Sequence, residues 1–129
     1  MFKRSLLAAG ILVTVHSAWT EVPKAISLNA IGTYETYVFD EGASEIVAYD
    51  PTTLRLFIIN ADAKAVDIVS IADPALPVSA GAIDVSLDLP DAGGVNSVAV
   101  SNGIVAVAVE HDDKQSNGWV ALYDTDGNF

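Results

Sequence analysis

The sequence predicts an all-β fold: the opening blades of an antiparallel β-propeller, preceded by an export leader. Three observations carry this. Short apolar runs rich in Val, Ile and Ala alternate with turn formers. Beyond the first residues, no long window carries a 3.6-residue apolar period. The pattern of runs also returns after about 50 residues, a spacing typical of propeller blades.

The first element is the leader. Met-Phe-Lys-Arg is a basic start, Ser5 to Val15 is an apolar stretch, and His16-Ser17-Ala18 supplies small residues. Cleavage after Ser17 leaves Val15 and Ser17 at the positions a signal peptidase reads. The apolar stretch is about half the roughly 20 residues that a membrane span needs. Residues 1–17 therefore read as a signal peptide, with residues 18–129 as the partial propeller and no transmembrane helix in the mature segment.

The strands follow in order at about Ser27–Tyr34, Glu45–Tyr49, Arg55–Asn60, Ala65–Ile71, Ala80–Leu87, Ser97–Ser101, Ile104–Glu110 and Trp119–Tyr123. Between them lie Asp50-Pro51, Asp73-Pro74, Leu89-Pro90-Asp91, Gly93-Gly94, Asn102-Gly103 and Asp126-Gly127. Proline fixes φ, glycine supplies positive φ, and Asn or Asp tolerates the left-handed region. Asn102-Gly103, set between two apolar runs, is the strongest hairpin signal. The connections are too short for crossover helices, so the strands pair antiparallel. In Ile104 to Val109, Val105, Val107 and Val109 face one way and Ala106 and Ala108 the other. A strand apolar on both faces is expected to lie between two sheets, its small-residue face allowing a close approach.

The repeat aligns Ile46–Asp50 with Ser97–Ser101 at an offset of 51, and Val66–Ser70 with Val120–Asp124 at 54. Leu56–Asn60 answers Val105 to Val109 with Glu110. One blade spans residues 45–87, a second and incomplete one residues 96–129, and 27–34 is the outer strand of a closing blade. Propellers typically need about 4–8 blades, so further blades are expected in a longer chain. A small β-sandwich is the competing architecture.

Composition narrows the function. The chain of 129 residues is 51% hydrophobic and carries a formal charge of −11. Losing Lys3 and Arg4 with the leader leaves four basic against 17 acidic residues, a charge near −13. That surface repels phosphate backbones and argues against nucleic acid as a partner. With no cysteine, disulfides, thiol catalysis and cysteine-bound zinc are excluded. There is no G-x-S-x-G elbow, phosphate loop or H-E-x-x-H.

The run Ala30 to Glu35, the stretch Phe39 to Pro51, Gly94 to Val100 and Val107 to Glu110 together resemble the choice-of-anchor I family, from about Leu28 to Phe129. The resemblance implies a propeller body in a secreted, periplasmic or cell-surface bacterial protein, with an anchor at the C-terminus. Some relatives carry an alkaline phosphatase label, and a related animal group is named as mesenchyme-specific cell-surface glycoproteins.

Blade geometry gathers the loops entering the first strand and the loops after the second strand on one face. There lie Asp40, Glu41 and Glu45; Asn60 and Asp62; Asn96; and Glu110 to Asp113. Glu45, Asn60, Asn96 and Glu110 are the candidate oxygen ligands of a Ca²⁺ or Mg²⁺ ion at the channel mouth. Such an ion could polarise a phosphoryl oxygen. The same residues would equally cap strand ends and solvate loops. His111, the only histidine outside the leader, needs a positioned partner to act as a base, and in an extended loop Asp112 is expected to point elsewhere. Asp124 to Asn128 departs from a calcium loop and reads as a turn.

The leading functional expectation is a binding or scaffold module for an extracellular protein, glycan or phosphate ester. A metal-dependent alkaline phosphatase-like hydrolase is one alternative, and a truncated fragment without function is another.

Overall fold

A computed structural model describes residues 25–129; the expected signal peptide lies outside the described residues. The fold is all-β. Strands β1 (Val47–Asp50), β2 (Arg55–Asn60), β3 (Ala65–Ser70) and β4 (Val78–Asp84) form one antiparallel sheet in sequence order. Strands β5 (Ala92–Ser101), β6 (Ile104–His111) and β7 (Trp119–Asp124) form a second. We call them sheets A and B. A short 3-10 helix, Val85–Leu87, links them, with the Asp84 carboxylate accepting from the Ser86 amide at 3.0 Å. No helix among the described residues is long and apolar enough to cross a membrane.

The core lies between the sheets. Sheet A contributes Phe57, Ile59, Val66, Ile68 and Ile83, and sheet B contributes Val95, Val98, Val105, Val107, Val109 and Tyr123. All of these side chains are buried, and burying each Val or Ile is worth about 1.5–3 kcal/mol. First strand β5 packs over β1 and β2. The Arg55 guanidinium ties the far ends together, donating to the Thr125 carbonyl and the Asp126 carboxylate, both at 2.7 Å.

Hairpin chemistry follows the turn residues. Asn102 (φ 52°) and Gly103 (φ 80°) both take positive φ, as a two-residue turn of type I′ requires. The longer loop after Asp50 is held by the Asp50 carboxylate, which accepts from the Thr53 amide at 3.0 Å and the Thr53 hydroxyl at 2.6 Å. In contrast, Gly93-Gly94 is no turn: it lies within β5, which starts five residues before the expected Ser97. Gly93 is an extra residue in the ladder, and a Cβ there would meet the His111 carbonyl at 2.5 Å. A glycine chosen for close approach looks, in sequence, like a glycine chosen for a turn.

Two further expectations are corrected. Ser27–Tyr34 forms no strand; it is largely exposed, because nothing among the described residues pairs with it. Ala80–Leu87 divides into the end of β4 and the 3-10 helix, and β4 begins earlier, at Val78. A bulge at Ala80, next to Gly81 at φ 126°, breaks the alternation there.

The registers show how the sheets are related. Asp50 and Arg55 close the β1–β2 hairpin as Ser101 and Ile104 close β5–β6, at offsets of 51 and 49. Arg55 faces Ser70 as Ile104 faces Asp124, at 49 and 54. A bulge supports the same alignment: Ile59 bonds to both Glu45 and Ile46, just as Asn96 is the extra residue beside the Ser97–Ala108 pair. In this register Ala48, Phe57 and Ile68, which face sheet B, match Ala99, Ala106 and Leu122, which face away from sheet A. The sheets are therefore stacked front to back, as successive blades are, without closing a barrel. The expectation that the alanine face of β6 meets a neighbouring sheet is not met among the described residues: the valine face meets sheet A.

Candidate functional site

The polar residues singled out by the repeat sit where β1 and β5 begin and β2 and β6 end. Their surroundings differ. Asn96 is exposed on its bulge. Glu110, half-buried near the end of β6, lies over Gly94, where a Cβ would stand 3.0 Å from its Oε1. Only a residue without a side chain leaves that space.

The Glu110 carboxylate accepts a hydrogen bond from the Lys114 ammonium. This bond, then the charge of Lys114, the Asn96 amide and the more distant charge of Lys64, hold its pKa below the usual value against partial desolvation. Lys64 lies in the β2–β3 turn of sheet A and acts on Glu110 only through its charge.

The other two candidates have partners of their own. The Asn60 amide donates to the Asp67 carboxylate at 3.1 Å, and its oxygen accepts from the Ala63 amide at 3.0 Å. It fastens the β2–β3 turn, the strand-capping role. Glu45 is exposed and folds back over Gly42. The structure thus brings together Asn96 and Glu110. It also sharpens the repeat: Glu45 and Asn96 share the bulge position, but Asn60 corresponds to Val109, since Asn60–Ala65 and Val109–Trp119 are the matching ladder pairs. Glu110 lies one residue beyond. Among the described residues, no group of three or more His, Asp or Glu converges as a metal-holding set.

His111 does find a partner. Its ring stacks on Trp119, centroids 5.1 Å apart and planes 17° from parallel. The Asp112 carboxylate lies 2.7 Å from Nδ1, and the Asp113 amide lies 2.9 Å from the same nitrogen. Asp112 therefore points at the histidine rather than away, because the chain turns sharply here instead of extending. Protonated, Nδ1 donates to Asp112; unprotonated, it accepts from Asp113.

The remaining acids serve their own loops. Asp113 accepts from the Gln115 amide at 3.0 Å and the Ser116 hydroxyl at 3.2 Å. Asp124 accepts from the Asp126 and Asn128 amides, both at 2.9 Å, and from the Asn128 side chain at 2.7 Å. Asp124 to Asn128 is a turn, as its sequence predicts. Asp40, Glu41 and Asp62 are exposed.

Sequence reasoning missed the lysines. Of the four basic residues outside the leader, Lys64 and Lys114 both fall in loops that follow a second strand. Counting cations as well as oxygen donors there would have found them. It also missed Tyr123, whose buried hydroxyl has no hydrogen-bond partner among the described residues. Burial first, then Asp88 and Asp84, push its pKa up to about 12.

The sequence model of one protein family, the choice-of-anchor I domain, matches residues 45–129, both sheets and all the residues around Glu110. No curated protein and no solved structure matches the chain.

Proposed function

The chain belongs to the choice-of-anchor I domain family, and from that premise we propose that it is an exported, surface-type β module that binds an extracellular partner through the Glu110 end of its two sheets. The observation supporting this reading is the half-buried Glu110 carboxylate, bonded to Lys114 and held ionised also by the Asn96 amide. Acceptors and donors there share one ladder end. A few placed polar groups on a preformed surface are what recognition of a polar ligand such as a glycan or peptide requires.

In this reading Lys114, not a divalent cation, balances Glu110. A Ca²⁺ ion bound through Glu110 and Asn96 would have to displace that ammonium. Binding of the full chain to arrayed extracellular glycans and proteins, with and without calcium, tests the proposal. A ligand whose affinity falls about tenfold or more (roughly 1.4 kcal/mol) in Glu110→Gln and Asn96→Ala is expected, with calcium making no difference. Ligands indifferent to both substitutions would overturn the site. Binding only with calcium, and loss of calcium binding in both variants, would restore the cation.

A further inference from the structure

Sheet A has four strands and sheet B three. By the registers, Ala65 to Ser70 of β3 match Trp119 to Asp124 of β7. The position that β4 takes beside β3 is therefore open beside β7, whose one ladder partner among the described residues is β6. Nothing in β7 guards this edge: it holds no proline, lysine or bulge, and Val120 and Leu122 are 69% and 53% exposed. Such an edge is a template for another strand.

A strand of the right pattern lies before β1. Ile26 to Gly32 aligns with β4, Val78 to Asp84, at an offset of 52, close to the offsets that relate the other strands. Ser27, Ala30 and Ile31 repeat Ser79, Ala82 and Ile83, and Ile26 stands for Val78, one β-branched residue for another. Yet Ile26 and Leu28 are each 92% exposed and Ile31 is 67% exposed. Among the described residues this stretch makes no backbone hydrogen bond. A segment with the pattern of β4 has no ladder, and a ladder matching that of sheet A has no fourth strand.

The molecule's own β7 is out of the segment's reach. The β3–β4 register, carried over to β7, puts Gly32 opposite Trp119, at the end of the sheets where β3 begins. Gly32 instead lies at the other end, against the β3–β4 loop, where a Cβ would meet the Pro74 carbonyl at 2.1 Å. Tyr34 then shares a hollow with Val47, Leu56 and Ile58 on the face of sheet A turned away from sheet B. A strand's length, about 17 Å, and a sheet-to-sheet spacing, about 10 Å, separate the two positions.

We propose that Ile26 to Gly32 of one copy adds to the free edge of β7 in a second copy, as its fourth antiparallel strand. It takes the register that β4 keeps on β3, with Ile31 opposite Val120, Ala30 opposite Ala121 and Ser27 opposite Tyr123. Gly32 and Tyr34 keep their places on sheet A and hold the donated strand to its own molecule. The contact is heterologous, so it runs from copy to copy until it closes.

The chain has no cysteine, so introduced cysteines read this register directly. Ile31→Cys and Val120→Cys, both at exposed positions, are mixed as full chains and oxidised, and the products are weighed by mass spectrometry. Residues directly opposite have Cβ atoms about 4.5–5.5 Å apart, near the span of a disulfide. A retained cooperative unfolding transition verifies each variant's fold. A disulfide-linked heterodimer is expected, forming about tenfold faster or more than when Leu122→Cys replaces Val120→Cys, two residues along the strand. Equal rates for the two pairs would mean random collision and overturn the proposal, as would the absence of a heterodimer. The double variant Ile31→Cys/Val120→Cys should link into dimers and larger species. A cross-linked monomer would overturn the second copy, because the strand would then come from the same chain.

Discussion

Single residues decide the turns. Asp50 is a buried carboxylate, 3% exposed, and its bonds to Thr52 and Thr53 hold the β1–β2 loop closed. The Thr53 hydroxyl is the largest of the causes that lower its pKa from 3.8. Its folded value lies below its unfolded one, so its contribution is present above the unfolded value and disappears as pH falls through the folded one. Glu110, Asp113 and Asp124 shift the same way. Urea midpoints should therefore drop between neutral pH and about pH 3, and drop less in Asp50→Asn. The relief of general acidic repulsion is nearly common to both proteins, so the difference isolates Asp50. Equal drops would mean that its ionised form is not favoured by the fold.

Elements take their stability from the contact between the sheets. Phe57, in the middle of β2, is fully buried between Ala48 and Ile68 on its own sheet and the valines of sheet B. Its truncation removes a large side chain that neither rigid sheet can collapse to replace. Phe57→Ala should cost about 3–5 kcal/mol in denaturant unfolding, and a loss below 1 kcal/mol would show that the sheets part easily. The strands of this contact were nearly all legible: β2, β3, β6 and β7 begin where their apolar runs begin, and Asn102-Gly103 forms the turn its residues predict. The start of β5 was not. Gly93-Gly94 is a bulged, close-packed stretch, and no local signal separates that from a turn. The expected strand at 27–34 failed for another reason: a strand needs a neighbour, and neighbours are not written in its own residues.

The whole molecule behaves as one core rather than two sheets side by side. Buried residues of both sheets form a single cluster, and Arg55 and the Asp84–Leu89 link reach across or join them. Most of the buried side chains of each sheet are covered by the other. Fluorescence from Trp119 in sheet B and circular dichroism over both sheets should therefore follow one transition with the same midpoint. Two separated midpoints would mean that the sheets fold independently.

The sequence alone determined the strand class, the antiparallel meander and the repeat, because alternation, turn chemistry and spacing are local properties. Blade geometry, which follows from the repeat, placed the loops with Glu45, Asn60, Asn96 and Glu110 at the ends where β1 and β5 begin and β2 and β6 end. Only the tertiary structure decided which of them meet. Glu110 and Asn96 come together through a bulge and a glycine, and Asn60 turns to Asp67. Those outcomes depend on distances between residues far apart in the chain, and they are fixed only when one sheet settles on the next.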